Sequence, residues 1–155
     1  MRAAALLCLM VLTGCGVAPT GVISGGEPPS GVGRGLRLYF VTDTGLRGVS
    51  RPEQHLRELD AVVKLLMAGP NRAEARAGLS TAVQVEGAFS VVAGKNSATL
   101  RLATPQAFSP TATGQLVCSL AKGHALLKGG GPDQVAVTLA GAGPYRCSQF
   151  IAVLP

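Results

Sequence analysis

The sequence predicts an α+β fold in a single domain, with two helices packed on one face of a mixed sheet. Short β-rich segments alternate with two segments in which apolar residues recur every three or four positions. Glycine, proline and N-cap residues stand between these segments, where turns and helix ends require them. About 120 residues remain beyond the N-terminal region, which is enough for one domain but not for two.

The N-terminal residues are predicted to be a signal peptide rather than part of this domain. Arg2, a short apolar run and the small residues before Cys15 form the pattern of a bacterial lipoprotein signal, with the lipobox at residues 12–15. We expect cleavage between Gly14 and Cys15, which removes residues 1–14, and a diacylglyceryl lipid on the new N-terminal cysteine. Two acyl chains anchor a protein stably, whereas this apolar run is too short to span a bilayer. The sequence therefore predicts a lipid-anchored protein on the extracytoplasmic face of the cell membrane.

Residues 15–35, which begin with the lipidated cysteine, are predicted to be a flexible tether. The segment contains seven glycines and three prolines and few apolar side chains that could enter a core. A flexible linker of this length has a reach of roughly 25 Å. It would lift the domain at residues 36–155 off the lipid surface.

The strands of the domain are predicted from β-rich runs separated by turn residues. A first hairpin is expected over residues 36–50, with its turn at 43–45. A second is expected over residues 88–102, with its turn at 94–96, because the apolar residues of its return strand alternate. A further strand is expected at residues 134–139.

The first helix is predicted to begin directly after the first hairpin. Ser50 and Glu53 have the spacing of a capping box, and Pro52 stands in the first turn, where its missing N–H costs nothing. Gly69 and Pro70 are expected to end the helix. One apolar stripe at helical spacing is predicted to face the core: Leu56, Leu59, Val62, Val63, Leu66 and Met67.

Two more helical segments are predicted from their N-terminal residues. Asn71 and Glu74 indicate a short helical turn in the residues that follow. Ser109 and Pro110 are expected to be the N-cap and first residue of the second long helix. Gly123 is expected to end that helix.

Two cysteines remain after the signal peptide and the lipid site are assigned. Cys118 lies on the second long helix and Cys147 lies near the C-terminal end of the sequence. In an oxidising compartment we expect them to form a disulfide, which would close a loop of about 30 residues. The alternative is a pair of free buried thiols.

No catalytic, cofactor-binding or metal-binding residues are predicted. The sequence contains no nucleophile elbow, no P-loop and no close pair of carboxylates, and its run of glycines at 31–35 precedes a strand rather than following one. His55 and His124 are its only histidines, and it has no CxxC pair that would indicate zinc. The net charge of +6 is dispersed along the chain, so nucleic acid is not an expected partner.

Six short segments carry a resemblance to a known family: residues 38–40, 45–46, 50–51, 65–70, 74–75 and 78–81. Over residues 36–140 the chain resembles the GerMN domain of sporulation and spore-germination proteins, in its actinobacterial lipoprotein form. The most specific part of the match is the Ala-Gly-Pro sequence that ends at Pro70, together with residues 74–75 and 78–81 that follow it. The positions of Cys118 and Cys147 are also similar to those in small actinobacterial members. The chain departs from the family at residues 82–84, where a proline-glycine turn is usual.

The resemblance implies an α/β module without known catalysis, similar to ring-building motifs that associate side by side in envelope assemblies. Related actinobacterial lipoproteins pair this domain with other extracytoplasmic modules and with sensor-kinase partners. We therefore expect a non-enzymatic envelope lipoprotein that associates with an envelope protein or with itself, through a sheet edge or an exposed helix face. The alternative is a lipid-anchored protein that binds a small ligand or a cell-wall fragment, which would require a concave apolar pocket.

Overall fold

The structure, a computed structural model, describes residues 35–151. Its helices and strands are β1 (Leu36–Thr42), β2 (Gly45–Arg51), α1 (Asp60–Ala68), α2 (Arg72–Arg76), β3 (Phe89–Ala93), β4 (Ser97–Leu102), α3 (Pro110–Lys128), β5 (Ala136–Leu139) and β6 (Ala142–Tyr145). The predicted α+β class is confirmed. The signal peptide, the cleavage and lipid sites at Gly14 and Cys15, the tether up to residue 34 and residues 152–155 lie outside the described residues.

The described strands form two sheets. β1 and β2 pair only with each other, as an antiparallel hairpin. The other four strands form the mixed sheet in the order β3-β4-β5-β6, in which β4 and β5 are parallel and the outer pairs are antiparallel. Parallel neighbours need a long crossover, and α3 supplies it between β4 and β5. Because β1 and β2 pair with no strand of the mixed sheet, their hairpin lies outside it.

The core lies between the helices and the two sheets. α3 contacts β1 of the hairpin as well as β4 and β5 of the mixed sheet, and α1 packs on α3, β1 and β3. The largest fully buried apolar side chains come from β1, α1, β4, α3 and β5: Leu36, Leu38, Phe40, Leu66, Leu100, Leu116, Leu120 and Leu139. The hairpin and the mixed sheet therefore share one hydrophobic core.

The predicted start of the first helix is wrong. Ser50 lies in β2, where it pairs with Arg37, and α1 begins ten residues later at Asp60. Pairing with β1 continues through Arg51, which holds the residue after Ser50 in an extended conformation where the predicted helix would have begun. Leu59 still packs into the core at 2% exposed, so the apolar stripe is largely kept although its first residues precede the helix. Met67 is an exception, because it is 38% exposed.

The predicted end of the second long helix is also wrong. Ser109 is the N-cap of α3, as predicted, and its hydroxyl accepts a hydrogen bond from the Ala112 N–H. The helix then continues through Gly123 to Lys128. A Cβ built on Gly123 would lie 2.8 Å from Val62 Cγ2 on α1. Gly123 therefore marks the close approach of two helices and not a helix end.

The short helix predicted after Asn71 is present as α2. The Asn71 side chain accepts from the Glu74 N–H, and the Glu74 carboxylate accepts from the Asn71 N–H, both at 2.9 Å. Within residues 35–151, no helix is both long enough and apolar enough to cross a membrane.

Candidate interaction surface

The outer edge of β1 is occupied by other parts of the domain. In the two-residue hairpin, Thr42 pairs with Gly45, so residues at odd positions of β1 turn their backbone groups away from β2. The outward N–H of Tyr39 donates to the Ser119 hydroxyl of α3 at 2.9 Å. The outward groups of Val41 exchange two backbone hydrogen bonds with Ser80, both at 2.9 Å. No strand could be added on this side.

The outer edge of β2 is open. The same alternation turns the backbone groups of Leu46, Gly48 and Ser50 away from β1. None of these N–H and C=O groups has a hydrogen-bond partner among residues 35–151. A row of unpaired backbone groups is a template on which another extended segment can pair.

The edges of the mixed sheet are less available than the β2 edge. On β3, the N–H of Val91 donates to the Asp60 carboxylate at the start of α1, at 2.7 Å. On β6, the strand has four residues and includes Pro144, which has no N–H to donate. Among the described strands, β2 therefore offers the best edge for strand addition.

Two adjoining clefts flank the open edge of β2. A cleft of about 420 Å³ lies between β2 and α2, where Val49, Ala73 and Leu79 form part of its wall. A cleft of about 710 Å³ lies at the turn of the hairpin and is walled partly by Phe150 and Ile151. Arg47 and Ala77 line both clefts. We call the open edge together with these two clefts the β2 edge surface.

One ion pair fastens α2 beside this surface. Arg51 of β2 donates two hydrogen bonds to the Glu74 carboxylate, one of them 2.6 Å long from Nη2 to Oε2. The two side chains are only 18% and 15% exposed. The hydrogen bonds from Arg51 lower the pKa of Glu74 below its ordinary value. α2 has no buried residue of its own, and this pair links it to β2.

Arg37 lies across the middle of the β2 edge. A Cβ built on Gly48 would come within 3.0 Å of Arg37 Cζ and Nη2, so the guanidinium fills the place of a side chain at that position. Its Cζ lies 6.0 Å from the centre of the Tyr39 ring, within the range of a cation–π contact. Burial raises the pKa of the Tyr39 phenol, while the charge of Arg37 opposes that shift.

The structure brings the two predicted disulfide residues together. Cys118 of α3 and Cys147 form a disulfide with an S–S distance of 2.07 Å, and both side chains are buried. The pair packs against Tyr39 on β1 and against Phe150 and Ile151 beside the larger cleft. The disulfide therefore ties the C-terminal part of the β2 edge surface to α3.

The two histidines have different surroundings. His55 is exposed, whereas His124 is buried on α3 with its Nε2 2.8 Å from the Gly94 carbonyl oxygen. In the part of the chain that the structure describes, no group of three or more His, Cys, Asp or Glu side chains could hold a metal ion.

No family model matches this chain, and comparison with curated proteins and with solved structures also found no match. The β2 edge surface is therefore interpreted from its own geometry. The sequence indicated a sheet edge or a helix face as the contact surface, but it did not indicate which strand. The residue types of the outward positions do not indicate an open edge: Leu46, Gly48 and Ser50. An edge is open only when the tertiary fold places no neighbour beside it.

Proposed function

We propose that this protein is a non-enzymatic, lipid-anchored component of the cell envelope that associates with other proteins by strand addition to β2. The observation that carries the proposal is the open edge of β2, whose outward backbone groups at Leu46, Gly48 and Ser50 have no partner among the described residues. In strand addition, main-chain hydrogen bonds supply affinity and neighbouring pockets supply specificity. The two clefts of the β2 edge surface are placed to act as those pockets.

Three further features support this proposal. The lipobox that ends at Cys15 supports anchoring on the extracytoplasmic side of the membrane. The Cys118–Cys147 disulfide suits such a location, because disulfides persist in oxidising compartments. The resemblance to GerMN domains supports a role in association between envelope proteins.

Site-specific photo-crosslinking in cells tests the association. A benzoylphenylalanine probe at Ala73, an exposed position on the wall of the smaller cleft, should give covalent adducts with a defined envelope protein. The same probe at Arg101, an exposed position on β4, is the control and should not give that adduct.

A second substitution tests whether the edge itself makes the contact. Ser50→Pro removes an outward N–H without removing a hydrogen bond to β1, so the hairpin should persist while strand addition fails. Ser50→Ala keeps the N–H and is the matched control. Loss of the Ala73 adduct in Ser50→Pro alone supports the proposal. Equal adducts in both variants, or none above those of the control probe, contradict it.

Membrane anchoring has its own test. Cys15→Ser removes the thiol that would carry the lipid, so the variant should accumulate as uncleaved precursor without acyl chains. Mass analysis of the purified chain and fractionation of the cells measure both effects. A Cys15→Ser protein that is processed and retained like the wild type contradicts the proposed lipid anchor.

One cleft favours a second candidate function, the binding of a small ligand or cell-wall fragment. This cleft of about 440 Å³ lies between the loop before α3 and the β5–β6 hairpin, and the aromatic side chains of Phe108 and Tyr145 form part of its wall. Its volume is within the range of small-molecule sites. A thermal shift with muropeptide fragments that Phe108→Ala abolishes would support this function over association.

A further inference from the structure

We propose that the segment added to β2 belongs to a partner protein and carries a carboxylate side chain, which Arg37 binds beside Gly48. This inference rests on the proposed strand addition and names what the added strand must contain. It follows from the position of the Arg37 guanidinium at the middle of the open edge and from the absence of a carboxylate partner for it among residues 35–151.

The central position of the edge lacks a side chain of its own. Gly48 is the middle one of the three outward residues, and the Arg37 guanidinium occupies the space where its side chain would stand. Arg37 itself is exposed, and its Cζ lies 6.0 Å from the centre of the Tyr39 ring. A cation therefore lies at the edge, on the face of the hairpin that it shares with Gly48.

Strand geometry places a partner's side chain against this cation. Residues that pair directly across two antiparallel strands turn their side chains to the same face, with Cβ atoms about 5 Å apart. The residue of an added strand that pairs with Gly48 would therefore extend its side chain toward Arg37. A carboxylate there could form a charge-assisted hydrogen bond with the guanidinium.

The charges around the edge favour an acidic occupant. Among residues 35–151 the one ion pair is Arg51–Glu74, so neither Arg37 nor Arg47 has a carboxylate partner within 4.0 Å. Arg47 is exposed and lines both clefts, on the opposite face of β2 from Arg37. Both faces of the edge therefore present a guanidinium that is not paired with any carboxylate of the described residues.

The same geometry disfavours a second copy of this chain as the occupant. Two β2 strands paired antiparallel about their centres would place Gly48 opposite Gly48. The two Arg37 guanidinium groups would then meet on one face of the combined sheet, with like charges opposed. An acidic segment of a different protein has no such conflict.

Peptide binding to the purified full chain in detergent micelles tests the proposal. The probes are two end-blocked peptides, Thr-Val-Thr-Glu-Thr-Val-Thr and the same peptide with Gln in place of Glu. Fluorescence anisotropy should show the Glu peptide binding about tenfold more tightly, the ratio expected for one charge-assisted hydrogen bond. Arg37→Gln should remove this ratio, whereas Arg101→Gln, a matched exposed strand position, should keep it.

The outcomes separate this inference from the function on which it rests. Equal binding of the two peptides, lost in both cases with Ser50→Pro, overturns the carboxylate requirement and leaves strand addition standing. Selective binding that survives Ser50→Pro overturns strand addition at this edge. Binding of neither peptide contradicts both, and a dimer of the chain that Ser50→Pro dissociates overturns the choice of occupant.

Discussion

Buried polar side chains of α3 accept hydrogen bonds from backbone N–H groups that have no partner in a neighbouring strand. The Gln115 carbonyl oxygen accepts from the Ala82 N–H at 2.9 Å, and the Ser119 hydroxyl accepts from the Tyr39 N–H at the same distance. Both side chains are fully buried, and each would be costly there without a partner. No periodicity in the sequence identifies these contacts, because the partners lie 33 and 80 residues apart.

At the residue scale, Glu74 should make stability depend on pH. Its pKa is lowered in the folded protein, so its stabilising effect is complete above the pKa of the unfolded carboxyl, about 4.3, and is lost as the pH falls through the folded pKa. Glu74→Gln keeps an acceptor for the Asn71 N–H but removes the ion pair with Arg51. The substitution should lower the free energy of unfolding by about 1 kcal/mol at pH 7.

Urea denaturation at pH 7 and at pH 3 measures this effect. The difference between wild type and Glu74→Gln should shrink at pH 3, because this pH lies below the pKa of the unfolded carboxyl and folding must then remove a proton to form the ion pair. Glu86→Gln is the control, since Glu86 is exposed and forms no ion pair with the described residues. An undiminished difference at pH 3 would show that Glu74 does not act through its charge.

At the scale of elements, two similar capping patterns have different outcomes. Asn71 and Glu74 form a capping box, whereas Ser50 and Glu53, at the same spacing, do not. Residues around Asn71 have no competing partner, so the local pattern decides their structure. Ser50 instead pairs with Arg37 in the hairpin, so tertiary pairing overrides the local pattern. The sequence therefore predicted the first two hairpins and the starts of α2 and α3, where no competing partner exists, but it did not predict the start of α1 or the β5–β6 hairpin.

Gly123 shows why a helix end was predicted where none exists. A glycine late in an apolar helical segment is typical of a C-terminal cap. Here the residue is buried where α3 crosses α1, and the positive φ of the actual cap belongs to Gly129. Sequence alone does not distinguish a glycine that a neighbouring helix requires from one that ends a helix.

Gly123→Leu should therefore destabilise the contact between α1 and α3. A Cβ at this position would lie 2.8 Å from Val62 Cγ2 and 3.2 Å from Leu59 Cδ2, so a larger side chain would force the two helices apart. Overpacking of this kind costs about 1–3 kcal/mol, which thermal or urea unfolding would detect. Lys128→Leu, at an exposed position of the same helix, should change stability by less than about 0.5 kcal/mol. A Gly123→Leu protein as stable as the wild type would contradict this account of the crossing.

At the scale of the whole molecule, α3 joins two sheets that do not pair with each other. The hairpin and the mixed sheet both contact this helix. α3 and Ser80 occupy the β1 edge of the hairpin, whereas no residue of 35–151 pairs with its β2 edge. Alternating residues predicted the strands, but no residue type indicates that β2 has no neighbour on its outer side within the described part of the chain. The proposed interaction surface therefore depends on tertiary arrangement, and the sequence predicted only its class.

The Cys118–Cys147 disulfide should contribute to the stability of the whole domain and to the shape of the β2 edge surface. It closes a loop with a sequence separation of 29 residues, for which the chain-entropy model gives roughly 3–4 kcal/mol. Replacing both cysteines with alanine should lower the free energy of unfolding by about that amount. Mass analysis without reduction should find the wild type two hydrogens lighter than the dithiol.

The same double variant distinguishes a general effect on stability from a local one. Phe150 and Ile151 wall the larger cleft and pack against the disulfide, so hydrogen exchange at these residues should rise more than exchange in β4 and β5. Peptide binding at the β2 edge should then weaken even at temperatures where the variant remains folded. A variant with wild-type exchange at Phe150 and Ile151 and unchanged peptide affinity would show that the disulfide stabilises the domain without shaping its interaction surface.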